Sequence, residues 1–280
     1  MSDLKGELQV CSYLFRVQVR QVKVWLGFFV GICIVIWKGM SYLQYADVIS
    51  ENINVLELFI IIGNDNISML LMALGIILVI SNAPYLDKDS IHVFYRTKKL
   101  IWNRGVKLYL LIQGFVYYSV IAVSSIVFGF AKGYLANCYS NAMVDMCKGI
   151  RYEKSFEIGF NNIELLHSGG PLTIFAITLL GSLLYGLILE YALYMCCIIF
   201  KQNTGVVIAI VFHFVNYELM KEGFMLASDY SLMAKAMPTI VLPGNSFVEI
   251  FSSAAVLLLC LILFSSVTNK AVKYCDIVGT

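Results

Sequence analysis

Residues 172–200 read LTIFAITLLGSLLYGLILEYALYMCCIIF, an apolar run in which Glu190 is the one charged side chain. A helix needs roughly 20 residues to cross the hydrocarbon of a bilayer, because each residue advances it by about 1.5 Å. Lipid offers no hydrogen-bond partner to backbone N–H and C=O groups, so a chain inside it is favoured to be helical. This segment therefore predicts a transmembrane α-helix.

Five further runs share this character, and together they predict an all-α integral membrane protein with six transmembrane helices. The predicted spans are Val22–Tyr42, Ser68–Leu86, Val106–Phe130, Leu172–Phe200, Thr204–Leu219 and Phe247–Val267. A composition with 60% hydrophobic and 14% charged residues is too apolar for a water-soluble surface. Residues 1–280 are expected to form a single transmembrane domain, since no polar block is long enough for a separate core.

The distribution of basic residues predicts the orientation. Nearly two thirds of the 20 Lys and Arg residues fall on the side that holds both termini, and loops rich in these residues stay in the cytoplasm. We therefore expect a multi-pass protein of a bacterial cytoplasmic membrane with both termini inside. The net charge of +2 and the position of the bases beside apolar runs do not indicate nucleic acid as a partner.

Two segments on the opposite, outer side have distinct features. Residues 221–246 contain Pro238 and Pro243 around a short apolar stretch, which predicts short broken helices that re-enter the membrane before the last span. Residues 131–170 form a long extracytoplasmic loop that serves either as a structural lid or as a recognition surface. Cys138 and Cys147 share this loop and are either bridged by a disulfide or two free thiols.

The connection between the second and third spans is long and charged. Asn82–Lys107 reads NAPYLDKDSIHVFYRTKKLIWNRGVK, and Ser90 can cap a helix that carries Ile91, Phe94 and Tyr95 and, after Arg96, the bases Lys98 and Lys99. Apolar side chains and bases along this helix give an amphipathic element on the inner surface. It either contacts a soluble partner or snorkels against lipid head groups.

This layout of six spans, a polar N-terminal connector and a charged inner loop resembles the permease subunit of an ABC-2 type transporter. The resemblance covers nearly the whole chain and includes exporters of amphipathic peptides similar to phenol-soluble modulins. It implies that residues 1–23 form an amphipathic connector helix, with Leu8, Cys11, Leu14 and Phe15 at helical spacing. It also implies that residues 84–104 form a coupling loop that docks into an ATPase subunit.

The resemblance assigns functional residues to this coupling loop. The expected ATPase-coupling residues are Asp87, Lys88, Asp89, His92, Phe94, Tyr95, Arg96, Lys98, Lys99, Trp102 and Arg104. The chain has no GxxxxGK[ST] loop, so we expect it to bind no cofactor itself. ATP and Mg²⁺ would be bound by two copies of a partner ATPase subunit, and a second permease copy, identical or related, would complete the membrane unit.

Each polar residue inside a predicted span is expected to have a structural or functional role, because a charge at the bilayer centre costs about 2.5 to 3.5 kcal/mol or more. Glu190, with Tyr191 and Tyr194 beside it, could face a substrate path or a dimer seam, or could be a structural carboxyl. His213 and Asn216 are three residues apart, so they share a helix face and could bond to a neighbouring helix. Asp65 is expected to cap the second span.

The favoured function is an exporter that moves an amphipathic peptide or another hydrophobic substrate out of the cell. Related alternatives are permeases for drug efflux or bacteriocin immunity. An ion-coupled secondary transporter is a further alternative, with Glu190 as its one buried carboxyl. An intramembrane enzyme is disfavoured, because the chain has only three histidines, no paired catalytic groups and no metal-ligand spacing.

Overall fold

The computed structural model describes residues 3–85, 90–149, 158, 163–221, 228–241 and 247–274. These residues form helices and two short strands, β1 and β2. The helices are α1 Asp3–Gln18, α2 Val22–Val48, α3 Glu57–Gly63, α4 Asn66–Ile80, α5 Ser90–Arg96, α6 Lys99–Gly129, α7 Asn141–Cys147, α8 Ile163–Ser168, α9 Pro171–Ile199, α10 Gln202–Met220, α11 Leu232–Lys235, α12 Pro238–Val241 and α13 Phe247–Tyr274. The strands are β1 Ile53–Asn54 and β2 Gly133–Tyr134, which pair in parallel.

Five of the described helices are long and apolar enough to cross a membrane. They are α2, α6, α9, α10 and most of α13, and a sixth crossing results if α3 and α4 count together as one span. The expected all-α membrane fold is thus found, with five to six candidate spans. The side chains at the outside of the bundle are mostly apolar, as contact with lipid requires.

The second predicted span differs from a straight helix over Ser68–Leu86. Helix α4 has 15 residues, which is about 22 Å and too short for a hydrocarbon core of about 30 Å. It is joined to α3 through a bend of 82°. At the break the Asp65 carboxylate accepts hydrogen bonds from the Ser68 backbone N–H at 2.9 Å and the Ser68 hydroxyl at 2.6 Å. Asp65 therefore caps α4, as expected, and also lies 3.2 Å from the buried ammonium of Lys38 on α2.

Two short helices stand where broken re-entrant helices were predicted. α11 and α12 have four residues each, and α12 begins at Pro238. A Cβ placed on Gly181 of α9 would strike the Ala236 carbonyl between them, and Gly181 lies ten residues, or about 15 Å, along α9. The Asn64 side chain at the α3–α4 break accepts a 2.9 Å hydrogen bond from the Thr239 backbone N–H. The two interrupted segments therefore meet inside the bundle.

One end of the bundle carries a small folded cap, formed by β1, β2, α7, α8 and Ile158. Its own apolar cluster includes Tyr42, Tyr45, Met143, Met146 and Leu165. The buried Glu57 carboxylate holds the cap to α2: it accepts hydrogen bonds from the Tyr42 hydroxyl at 2.8 Å, the Asn54 N–H at 3.0 Å and the Ser140 N–H at 2.6 Å. The described part of the long 131–170 loop is thus a packed structure rather than an open connection.

The opposite end, which we call the base, is formed by α1, α5, the first turns of α6 and the turn between α9 and α10. Helix α1 packs on α6, with the rings of Phe15 and Tyr109 4.8 Å apart. Cys11 and Leu14 of α1 face inward, whereas Leu8 is 52% exposed, so the four apolar residues at helical spacing do not all lie on the inward face. Burial raises the pKa of the Cys11 thiol, which packs as a small neutral side chain.

Candidate functional site

The predicted coupling loop is a short helix anchored by one aromatic contact. Phe94 is buried on the inner side of α5, and its ring meets that of Trp102 on α6 edge to face at 5.7 Å. The Thr97 hydroxyl donates to the Val93 and Phe94 carbonyls and closes the end of α5. α6 then begins at Lys99, seven residues before the predicted start, because the basic stretch continues as helix rather than as loop.

The other side of α5 is open and basic. Tyr95 is 66% exposed, and Arg96 and Lys98 are exposed beside it. We call the exposed side chains of this region the base surface. Its members are His92, Tyr95, Arg96, Lys98, Lys99 and Arg104.

The predicted coupling residues therefore divide into three groups. Phe94 and Trp102 are buried and hold α5 in place, so their side chains are not available for contact with a partner. The residues of the base surface are exposed, and Arg104 also forms a 3.2 Å ion pair with Glu7 of α1. Asp87, Lys88 and Asp89 lie outside the described residues.

Glu190 lies inside the chain, between α9 and α6. It is completely buried, and neither carboxyl oxygen has a hydrogen-bond partner among the described residues. A Cβ built on Gly114 of α6 would come within 2.9 Å of its Oε1 atom, so the absence of a side chain at 114 makes room for the carboxyl. The buried hydroxyls of Tyr85 and Tyr109, which also lack partners there, are within electrostatic range of it. Glu190 thus faces α6 of its own chain and not the outer surface where a second copy would pack.

A lysine clamp joins α6 to α13 near the base. The Lys107 ammonium donates to the Ser265 carbonyl at 2.6 Å, the Ser265 hydroxyl at 2.9 Å and the Asn269 side-chain oxygen at 2.8 Å. The Asn103 amide donates to the same Asn269 oxygen at 2.7 Å. Sequence reasoning missed this clamp, although the four-residue spacing of 103 and 107 and of 265 and 269 places each pair on one helix face.

Tyr191 and Tyr194 are buried with Glu190, and Tyr191 ties α9 to the clamp. Its hydroxyl donates to the Lys107 carbonyl at 3.3 Å. Tyr194 is 1% exposed within the core. Neither residue lies at an outer seam.

His213 and Asn216 bond to neighbouring helices, as their shared face predicts. The His213 Nε2–H donates to the Leu70 carbonyl of α4 at 3.1 Å, so Nδ1 accepts from the Tyr185 hydroxyl of α9 at 2.8 Å. The Asn216 side-chain oxygen accepts from the Leu232 N–H at 2.8 Å and holds the start of α11. Both residues are structural connections within the bundle.

The two outer-loop cysteines have different surroundings. Cys138 is exposed and Cys147 is buried in the cap, and both are thiols in this structure. Among the residues that the structure describes, no group of three His, Cys, Asp or Glu side chains could hold a metal ion.

No family model, curated protein or solved structure matches this chain. The fold itself defines the class: an all-α protein whose long apolar helices are suited to a membrane.

Proposed function

We propose that this chain is the membrane-spanning subunit of an ABC exporter of the ABC-2 type. It moves an amphipathic peptide or another hydrophobic substrate out of the cell, using ATP hydrolysed on a separate subunit. The base lies in the cytoplasm and the cap outside, and two such chains sit on two ATPase subunits. The chain has no phosphate-binding loop of its own.

The observation that carries the proposal is the construction of the base surface. A seven-residue helix, α5, is held on its inner side by Phe94 and presents Tyr95 and Arg96 to the outside, with the exposed Lys98 just after its end. α5 leads through Lys98 directly into α6, which runs the length of the bundle. A loop that only touched lipid head groups would not need this aromatic anchor, whereas a helix that docks into a soluble partner must be held in a fixed position.

The arrangement of α1 supports the same function. Glu7 pairs with Arg104, so α1 is joined to the start of α6, and the Phe94–Trp102 ring contact joins α5 to the same part of α6. A partner that moves α5 therefore acts on α6 through a connected structure. Rigid tilting of spans of this kind is a common way to open a path through a membrane protein.

The decisive experiment isolates the chain from its native membranes in a mild detergent and measures ATP hydrolysis in the complex. We expect the chain to bring with it a phosphate-loop ATPase at equal stoichiometry. Charge reversal at Arg96→Glu and Lys98→Glu should abolish this association, because both side chains are exposed and basic. Lys201→Glu with Lys270→Glu is the matched control, since these bases are exposed at the same end but do not belong to the base surface.

Two results would reject the proposal. One is an ATPase complex that survives the α5 reversal as well as it survives the control reversal. The other is a purified single chain that moves an amphipathic peptide into vesicles without ATP. If the complex forms, peptide-stimulated ATP hydrolysis distinguishes a peptide exporter from a permease for drug efflux or bacteriocin immunity.

Glu190 supports the second candidate, an ion-coupled secondary transporter. A buried carboxyl without hydrogen-bond partners in the described chain is the kind of group that binds a proton or a cation in such carriers. Glu190→Gln keeps the shape and removes the charge. Transport that depends on a proton or sodium gradient and is lost in this variant favours the carrier, whereas unchanged ATP-coupled transport favours the exporter.

A further inference from the structure

A lateral groove opens on the side of the bundle between α1, α2 and α6. It has a volume of about 700 Å³, which is within the range of about 300 to 1,000 Å³ typical of small-molecule sites. Its wall is almost entirely apolar. The lining residues are Phe15, Gln18, Val19, Val22, Val24, Trp25, Leu26, Phe28, Phe29, Ile32, Gln113, Val116 and Val120.

The dimensions of the groove match one leaflet of a bilayer. Along α2 it extends from Val22 to Ile32, which is ten residues or about 15 Å. This is about half of a hydrocarbon core of roughly 30 Å. The groove also starts at the base end of α2, so it covers the half of the membrane next to that end.

The base end of the groove is positively charged. Arg16, Arg20 and Lys23 are exposed and each is next in sequence to a residue that lines the groove, and residues 15–32 contain no acidic side chain. Trp25 is 62% exposed and its indole N–H donates to the Val19 carbonyl at 2.8 Å. An aromatic ring with its polar edge at this level is typical of the membrane interface.

A buried amide in the wall lacks an acceptor. The Lys23 ammonium donates to the Asn82 side-chain oxygen at 3.3 Å, which leaves the Asn82 amide N–H to donate to the Gln18 oxygen at 3.0 Å. This chain of bonds fixes the orientation of the Gln18 amide, because an ammonium can only donate. The Gln18 side chain is 1% exposed, and its Nε2 donor has no partner among the described residues.

We propose that this groove is a binding site for one anionic phospholipid. An acyl chain lies against Trp25, Val116 and Val120, the head-group phosphate lies among Arg16, Arg20 and Lys23, and an ester oxygen accepts from the Gln18 amide. The charge at the mouth selects a negative head group over a zwitterionic one, since the groove wall contributes equally to both. This inference is independent of the proposed transport function.

The test counts bound lipids on the detergent-purified full chain by native mass spectrometry. Phosphatidylglycerol and phosphatidylcholine with identical acyl chains are added separately. We expect phosphatidylglycerol to bind more tightly, on the order of tenfold. Arg16→Gln with Arg20→Gln should remove this preference, while Lys201→Gln with Lys270→Gln, an equal loss of exposed charge at the same end, should keep it.

A second pair of variants tests the groove itself. Val116→Trp fills the groove and should reduce retention of both lipids. Val123→Trp is the control and should not, because Val123 lies two turns further along the same face of α6 and outside the groove. Gln18→Leu should weaken both lipids equally, because both carry ester oxygens. Thermal unfolding of each variant shows that it is folded.

Three outcomes would overturn the assignment. Equal affinity for the two lipids would contradict the assigned head-group site. Equal lipid retention by Val116→Trp and Val123→Trp would contradict the assignment of the groove as the acyl-chain site. Lipid-free dimers of the chain that Val116→Trp converts to monomers would show that a second copy occupies it.

Discussion

Two glutamates are completely buried among the described residues, and their surroundings are opposite. Glu57 accepts hydrogen bonds from two backbone N–H groups and two hydroxyls, including the Ser140 hydroxyl at 2.7 Å. Within the part of the chain that the structure describes, Glu190 has no donor at either oxygen. The first carboxyl therefore stabilises the cap, while the second is a group whose environment is incomplete without a proton, an ion or a bound molecule.

Removing the Glu57 carboxylate should weaken the cap. Glu57→Ala leaves the buried N–H groups of Asn54 and Ser140 without an acceptor, which costs about 2 to 6 kcal/mol in total. We expect a lower midpoint of thermal unfolding in detergent and faster reaction of the buried Cys147 thiol with maleimide. Glu164→Ala, an exposed position in the same cap, should leave both measurements unchanged, and equal behaviour of the two variants would contradict the assigned role of Glu57.

For individual residues, the sequence predicted some roles and missed others. Glu190, His213 and Asn216 stood out because polar side chains are rare in apolar runs, and Asp65 stood out as a cap. Glu57 gave no such signal, because its hydrogen-bond donors at Asn54 and Ser140 come from distant parts of the chain. Such partners depend on tertiary packing, which residue spacing within one element does not reveal.

Among the elements, helices α2 and α4 cross in close contact. A Cβ on Gly27 would lie 2.6 Å from the Gly75 carbonyl oxygen, and a Cβ on Gly75 would lie 3.2 Å from that of Gly27. The Tyr117 hydroxyl of α6 enters the same space and donates to the Met72 carbonyl at 3.0 Å. Small residues permit this approach, as is common between helices in membranes.

Gly75→Ala should therefore separate these helices. The added methyl group displaces Tyr117 and α2, and overpacking of this kind costs about 1 to 3 kcal/mol. Unfolding in a denaturing detergent series should show the loss. Gly169→Ala is the control, because its Cβ would have its nearest contact at 3.5 Å. A Gly75→Ala variant as stable as this control would show that the crossing is looser than described.

The anchoring of α5 can be tested by comparing adjacent aromatic residues. Phe94→Ala removes a buried ring, a change that costs about 3 to 5 kcal/mol in well-packed sites, whereas Tyr95→Ala removes an exposed one. We expect hydrogen exchange of the α5 amides to accelerate in Phe94→Ala alone. Binding of the proposed ATPase should weaken in both variants, and unchanged exchange in Phe94→Ala would mean that other contacts hold α5.

For the whole molecule, the all-α membrane class was predictable because long apolar runs have few other solutions. The 82° bend between α3 and α4 was not predicted, because the polar residues 64–66 mark a break but do not show that α3 packs inside the bundle. A lid formed by residues 131–170 was one of the two sequence-based alternatives, but its strand pairing was not predictable, because residues 53–54 pair with 133–134 across a long separation. Long-range pairing of this kind leaves little local signature.

The orientation of the whole chain can be measured through the exposed Cys138 of the cap. In a background with the other cysteines changed to alanine, we expect a membrane-impermeant maleimide to label Cys138 in intact cells. A cysteine introduced by Arg96→Cys should react only after the membrane is permeabilised. The reverse pattern would place α5 outside and would contradict the proposed coupling to a cytoplasmic ATPase.

Helix α6 has 31 residues, so it is about 46 Å long and exceeds a hydrocarbon core of about 30 Å. Its first turns carry α1 and follow α5, and β2 begins four residues after its end and pairs with β1. Helix α6 thus joins the base at one end of the molecule to the cap at the other end without interruption. If the proposed ATPase displaces α5, the displacement would reach the cap through this one continuous helix, without a relay of small side-chain shifts.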